Sequence, residues 1–122
     1  MSDKAYKKKK ALKLKADKIW REKYVGEYCE ICGGTWNVTG HHFYYKGSYA
    51  HLRHEGNNCI TLCGKCHFAL HHQDPKTVTE KIVEIRGKEW YNRLKAKAET
   101  RPKSGFLTLK YYQSIIEKLA RV

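Results

Sequence analysis

The chain has 122 residues, 41% of them hydrophobic, which is enough for one domain with a modest core and too much for a disordered tail. No apolar run approaches the roughly 20 residues of a membrane helix. The basic start, Met1 to Lys10, has no apolar segment behind it, so neither a secretory signal nor a membrane is expected, and the cytoplasm is the expected location. The net charge is +13 and its layout is uneven: ten Lys and Arg against three acids in residues 1–25, four against four in 26–79, and eleven against five in 80–122. Two basic flanks around a neutral centre suit a polyanion, with nucleic acid the obvious one.

In chain order, residues 4–24 read as a helix, with Leu12, Ala16, Ile19 and Trp20 at helical spacing and lysines on the other faces. Repulsion within Lys7–Lys10 predicts fraying of the first ten residues. The run Cys29-Glu-Ile-Cys32-Gly33-Gly34 predicts a tight knuckle, and Trp36–Thr39 a short strand. Residues 41–57 read as a loop rich in His, Tyr and Gly, and 58–62 as a second strand. Cys63–His72 reads as a turn entering a short helix that Pro75 breaks. A capping-box pattern at Thr77–Glu80 opens the next helix, with Ile82 and Ile85 on one face. Gly87 interrupts, and Trp90 and Leu94 continue a helical stripe. Residues 100–106 form a turn-rich linker. Thr108 caps a last helix with Leu109, Tyr112, Ile116 and Leu119 as its seam; that seam could cover the core or make a dimer. The organisation is a basic N-terminal arm (1–25), a Cys/His-rich core (26–75) and a helical C-terminal extension (76–122).

Five cysteines fit a disulfide framework poorly. Cys29-x2-Cys32 and Cys63-x2-Cys66, thirty residues apart, can each wrap one side of a tetrahedral ion, and four thiolates favour Zn²⁺ or an iron–sulfur centre, with zinc the better fit to a basic protein that has no other redox signature. Such a site is closed and structural, and its binding free energy belongs to folding. Cys59, in an apolar strand, reads as a packing residue.

The seven histidines are clustered. His67 and His71 stand four apart and share one face of a helix, so they can hold one ion together. One member of the His41–His42 pair could complete a three-histidine site, with open positions for water or phosphate oxygen.

The run His41-His42, then Asn58-Cys59-Ile60-Thr61-Leu62-Cys63-Gly64-Lys65-Cys66-His67, then His71 resembles the signature of HNH endonucleases of the zinc-stapled subtype. The resemblance covers residues 27–72, with a looser likeness to phage recombination proteins of the NinG type. It implies an α+β fold with a small ββα-metal (His-Me finger) core and a four-cysteine zinc site, flanked by basic helices. It also implies a phage-like or mobile-element DNA endonuclease, working in a bacterial host's cytoplasm if phage-encoded. By the same resemblance His41, His67 and His71 match ligands of a catalytic ion, in use Mg²⁺ or Mn²⁺, although three imidazoles would also take Ni²⁺ or Zn²⁺. His42 matches the general base and Asn58 the residue that holds the loop and orients that base. Asn58 is favoured over Asn57, and His71 over His72, by the motif's spacing.

Hydrolysis of a phosphodiester needs a water to lose a proton, which a neutral His can take near pH 7. The second nitrogen of His42 would then need an acceptor, such as a loop carbonyl, to fix its tautomer. Arg53 is the nearest candidate to clamp a phosphate oxygen. Lys7, Lys8, Lys9, Lys10, Lys13 and Lys15 could track a phosphate backbone. Tyr44, Tyr45 and Tyr49 could stack on a base or simply pack. Two competing readings stand: a non-catalytic zinc module that binds nucleic acid, and an accessory subunit of a packaging or recombination complex.

Overall fold

The first helix starts where its capping chemistry allows. In a computed structural model that describes residues 2–121, α1 spans Asp3–Tyr24. The Ser2 side chain accepts from the Ala5 amide at 3.2 Å, Asp3 sits in the first turn, and Arg21 and Lys23 sit in the last. That is the pairing of caps and charges that the helix dipole favours. Residues 3–10 are therefore helical and not frayed. Lys7, Lys8 and Lys10 point into solvent, where water screens their repulsion.

The strands β1 (Thr39–His42) and β2 (Cys59–Leu62) pair antiparallel, with His41 opposite Ile60 and His42 opposite Cys59. The expected strand at 36–39 thus begins three residues late, and the histidine pair belongs to a strand, not a loop. The reason lies at Trp36. Its carbonyl accepts from the Gly64 amide at 3.0 Å, and its ring lies so close to Gly64 that any side chain there would come within 2.2 Å. Asn37 follows with φ of 49°, so residues 36–38 are a turn.

Beyond β2, Cys63 precedes α2 (Gly64–Phe68), which widens into a π-helical turn over Ala69–Gln73. Helix α3 is Pro75–Arg86. Asp74, and not Thr77, is its N-cap: Asp74 Oδ1 accepts from the Thr77 amide at 3.1 Å, and Pro75 occupies the first turn, where no amide is needed. Gly87 (φ 96°) separates α3 from α4, Lys88–Glu99. Ile82 is fully buried, but Ile85 is exposed, so the two do not share a buried face. Helix α5 is Leu109–Ala120, capped by Thr108. The described residues thus form an α+β fold of five α-helices and a two-stranded antiparallel sheet. None of these helices is long and apolar enough to cross a membrane.

The core has three parts. Ile60, Leu62, Leu70, Val78 and Ile82 pack with Cys29 and Cys63 between the sheet, α2 and α3. Leu52, Leu94 and Ala98 fix α4 against the segment after β1. Ala16 and Trp20 of α1 pack with Cys59 and with Leu119 of α5. Helices α1 and α5 lie side by side, and Lys23 Nζ donates to the Leu119 and Arg121 carbonyls at 3.1 and 2.7 Å. The α5 seam therefore covers α1: Tyr112 and Leu119 are buried and Ile116 packs beside them.

Candidate metal centres and the histidine cleft

The four paired cysteines converge. Their sulfurs lie within 4.8 Å of one another, with Cys32 Sγ and Cys63 Sγ at 3.6 Å. The first knuckle closes through the Cys29 amide to the Gly34 carbonyl and the Gly33 amide to the Cys29 carbonyl, both 2.9 Å. Gly33 takes φ of 73°, which a side chain would resist. The second knuckle is the start of α2. Cys29 and Cys63 are buried, Cys66 is half-buried and Cys32 is exposed. Burial raises the Cys29 thiol, but backbone groups of Cys32, Cys63 and Ile31 outweigh it and bring it down to about 7. Four sulfur donors at this separation could hold a structural metal such as zinc. Cys59 stands apart in the apolar core, its thiol pushed up to about 12 by burial.

The histidines form a second cluster. Ligand nitrogens of His41, His67 and His71 lie within 4.8 Å of one another. The His41 ring sits 3.9 Å from His67 and 6.1 Å from His71, and His67 to His71 is 4.7 Å between centroids. His41 comes from β1, His67 from α2 and His71 from the π-helical turn. His72 lies outside the group, its ring 4.9 Å from Phe68. Burial, reinforced by the neighbouring His67, His71 and His42, lowers His41 to about 4. Burial lowers His67 as well. Both shifts favour the neutral ring of His41 and His67, the form that carries a lone pair.

His42 is the next residue on β1. Its Nε2 lies 2.8 Å from the Arg53 carbonyl. A carbonyl only accepts, so Nε2 carries the proton and Nδ1 keeps the lone pair. The ring lies flat on Trp20, 4.4 Å between centroids and 6° between planes. Burial lowers its pKa, opposed by the Arg53 hydrogen bond. His41, His42 and His71 open onto a cleft of about 360 Å³ whose other walls include Trp20, Arg21, Tyr45 and Lys46.

Asn58 is fully buried and ties the two ends of the loop after β1 together. Its Oδ1 accepts from the Tyr44 amide at 2.7 Å; its Nδ2 donates to the Tyr44 and Leu52 carbonyls at 3.0 and 3.1 Å. Tyr44 and Tyr49 pack on each other at 4.8 Å, while Tyr45 is exposed near His71.

Arg53 is not a free phosphate clamp. Its Nε and Nη2 donate to Asp17 Oδ1 and Oδ2 at 2.8 and 2.7 Å, and the pair is largely shielded from water. Asp17 also accepts from His54 Nε2 at 2.7 Å. Burial raises the Asp17 carboxyl, but the hydrogen bonds from Arg53 and His54 overcome it and hold the group well below the usual carboxylate range. The arm lysines divide: Lys7, Lys8, Lys10 and Lys15 are exposed, whereas Lys9 and Lys13 are half-buried beside Leu107 and Tyr112.

Four residues at or behind the cleft carry no sequence motif: Asp17, Trp20, Arg21 and Lys46. Asp17 leaves one trace, as an acid beside Ala16 on the apolar side of a lysine-rich helix. Comparisons of the chain with protein families, curated proteins and solved structures found no match.

Proposed function

We propose that this chain is a metal-dependent DNA endonuclease of the HNH type, in which β1, β2 and the helix after them form the ββα-metal core. The observation that carries the reading is one juxtaposition. Three imidazoles with converging nitrogens stand beside a fourth, His42, whose Nε2 is tied to a carbonyl and whose Nδ1 is left as a base.

The residues fit a divalent ion: His41, His67 and His71 offer three imidazole nitrogens, with no fourth His, Cys, Asp or Glu ligand grouped with them among the described residues, the donor set of an open site. When bound there, Mg²⁺ or Mn²⁺, or Ni²⁺ or Zn²⁺, supplies Lewis-acid stabilisation of charge on the phosphate and the leaving oxygen. His42 Nδ1 takes the proton of the attacking water. Trp20 and the Arg53 carbonyl hold that ring in place. Asn58 keeps the loop between the strands closed so that the acceptor stays where His42 needs it. Arg21 and Lys46, on the walls of the cleft, replace Arg53 as the cations that meet phosphate oxygens. The exposed lysines of α1 add contacts that position the duplex without reading its sequence. The cysteine site, loaded with zinc, is the staple that fixes α2.

The test is cleavage of supercoiled plasmid by the zinc-loaded chain, with Mg²⁺ or Mn²⁺ and with EDTA. Relaxed or linear product that requires the divalent cation supports the reading. Binding without cleavage under every cation overturns it in favour of a zinc-dependent nucleic-acid-binding module. Cleavage only in the presence of a second protein favours an accessory subunit.

A further inference from the structure

We infer that Asp17 is a positioning residue for His42, acting through Arg53, and that α1 is therefore a working part of the site and not a separate basic arm. The inference rests on the endonuclease reading for its kinetic consequence, but not for its geometry.

Helix α1 holds three acids, Asp3, Asp17 and Glu22, and only Asp17 is buried. A buried carboxylate loses its hydration and must be repaid by hydrogen bonds. Here the return comes from two consecutive residues far along the chain. Arg53 grips both carboxylate oxygens in a fork, and His54 donates to Oδ1. Three charge-assisted bonds to one carboxylate fix the side chains and the backbone of residues 53 and 54.

That backbone is what His42 reads. The Arg53 carbonyl receives the His42 Nε2 proton at 2.8 Å. One residue thus faces two ways, with its guanidinium on Asp17 and its carbonyl on His42. Three residues after Asp17, on the same side of α1, Trp20 completes the grip. Its ring is stacked on His42, and its Nε1 donates to the Glu55 carbonyl at 3.0 Å. Helix α1 therefore holds the acceptor segment 53–55 at both ends and the imidazole from one face.

The chemical consequence concerns the tautomer. An imidazole offers one bare nitrogen, and the hydrogen bond at the other decides which. With the Arg53 carbonyl in place, Nδ1 is bare and faces away from that bond. Without Asp17 the Arg53 fork loses its anchor, and the carbonyl is held only by the turn after Ala50 and by Trp20 on Glu55. The Nδ1–H form then becomes accessible, and that form cannot accept a proton from water at Nδ1.

The experiment uses the zinc-loaded full chain labelled with ¹⁵N-histidine, as wild type and as Asp17→Asn, in Mg²⁺-free buffer for spectra and with Mg²⁺ for kinetics. The wild-type His42 ring should show a protonated Nε2 and a bare Nδ1, and Asp17→Asn a mixture of tautomers. The variant's kcat should fall roughly 10- to 100-fold, with KM within about twofold and duplex binding in Mg²⁺-free buffer unchanged. Arg53→Lys, which keeps the charge but loses the fork, should shift the tautomer in the same direction. If Asp17→Asn fails to fold, Arg53→Lys alone decides. A folded variant with the wild-type tautomer overturns the inference, as does a loss confined to KM. If the wild type does not cleave at all, the endonuclease reading falls, while the tautomer comparison still decides whether Asp17 positions His42.

Discussion

Cys66 and His67 are neighbours on α2, yet they belong to clusters of opposite character. The sulfur cluster is built from two short knuckles, and its two buried members, Cys29 and Cys63, join the apolar core with Leu62, Leu70 and Ile82. All four of its donors come from the protein, which leaves a tetrahedral ion no room for a reactant. The imidazole cluster has three donors, two of them, His41 and His71, on the wall of a cleft, and His71 is exposed. Burial with a full donor set makes a staple; partial exposure with an incomplete set makes a place where a substrate can arrive. One residue's step along a helix separates the two, because it carries Cys66 to the thiols of the core and His67 to His41 and His71.

The difference can be broken from either side. The largest effect should come from the sulfur cluster. Structural zinc sites bind with apparent free energies of about 10–16 kcal/mol, as large as the whole stability of a typical domain, about 5–15 kcal/mol. Cys63→Ser, or a strong chelator, should abolish the cooperative unfolding transition seen by circular dichroism. A chain that unfolds unchanged without zinc would show that the thiols are not a staple.

Next is His42→Ala. Loss of a general base costs roughly 10²- to 10⁴-fold in rate, while the variant should keep its fold and its wild-type zinc content. Cleavage at the wild-type rate would remove His42 from the chemistry.

Asn58→Ala should fall between the two kinds. It leaves the amide and the carbonyl of Tyr44 without their partner, so it should cost about 1–3 kcal/mol in urea unfolding and lower kcat as well. A stability loss with no change in rate would show that the loop after β1 does not serve His42.

Smallest are Arg21→Ala and Lys46→Ala. Each should weaken duplex binding similarly for all sequences and reduce the slope of log affinity against log salt by about 1. An unchanged slope would mean that no phosphate enters the cleft.

The ligand pairs were the most legible part of the chain, because metal binding by knuckles and helix turns is set by local spacing. The two cysteine pairs and His67 with His71 need nothing from distant residues to be recognised. The strand carrying the histidines was less so. After Thr39 its residues, Gly40-His41-His42, have little strand propensity, and they pair because Ile60 and Cys59 across the ladder are buried. Trp36, which reads as a strand residue, is instead drawn over Gly64. Arg53 was misread for a related reason: its partner lies 36 residues away on a helix whose surroundings suggest only a basic surface. Asp17, Trp20 and Lys46 gain their meaning from tertiary packing alone. The last helix was legible in position and cap, but the sequence left open whether its seam covers the core or makes a dimer.

The pairing of α1 with α5 has a consequence for timing. Trp20, which lies against His42, shares a core with Leu119, and Lys23 reaches the Leu119 carbonyl across 96 residues of sequence. Contacts of such long separation close late, because the chain between them must first be ordered. During synthesis α5 is the last of these helices to leave the ribosome, so the helix that steadies His42 lacks its packing partner until then. A chain still being made would already hold both cysteine knuckles, but His42 would be fully braced only once α5 had emerged and packed on α1.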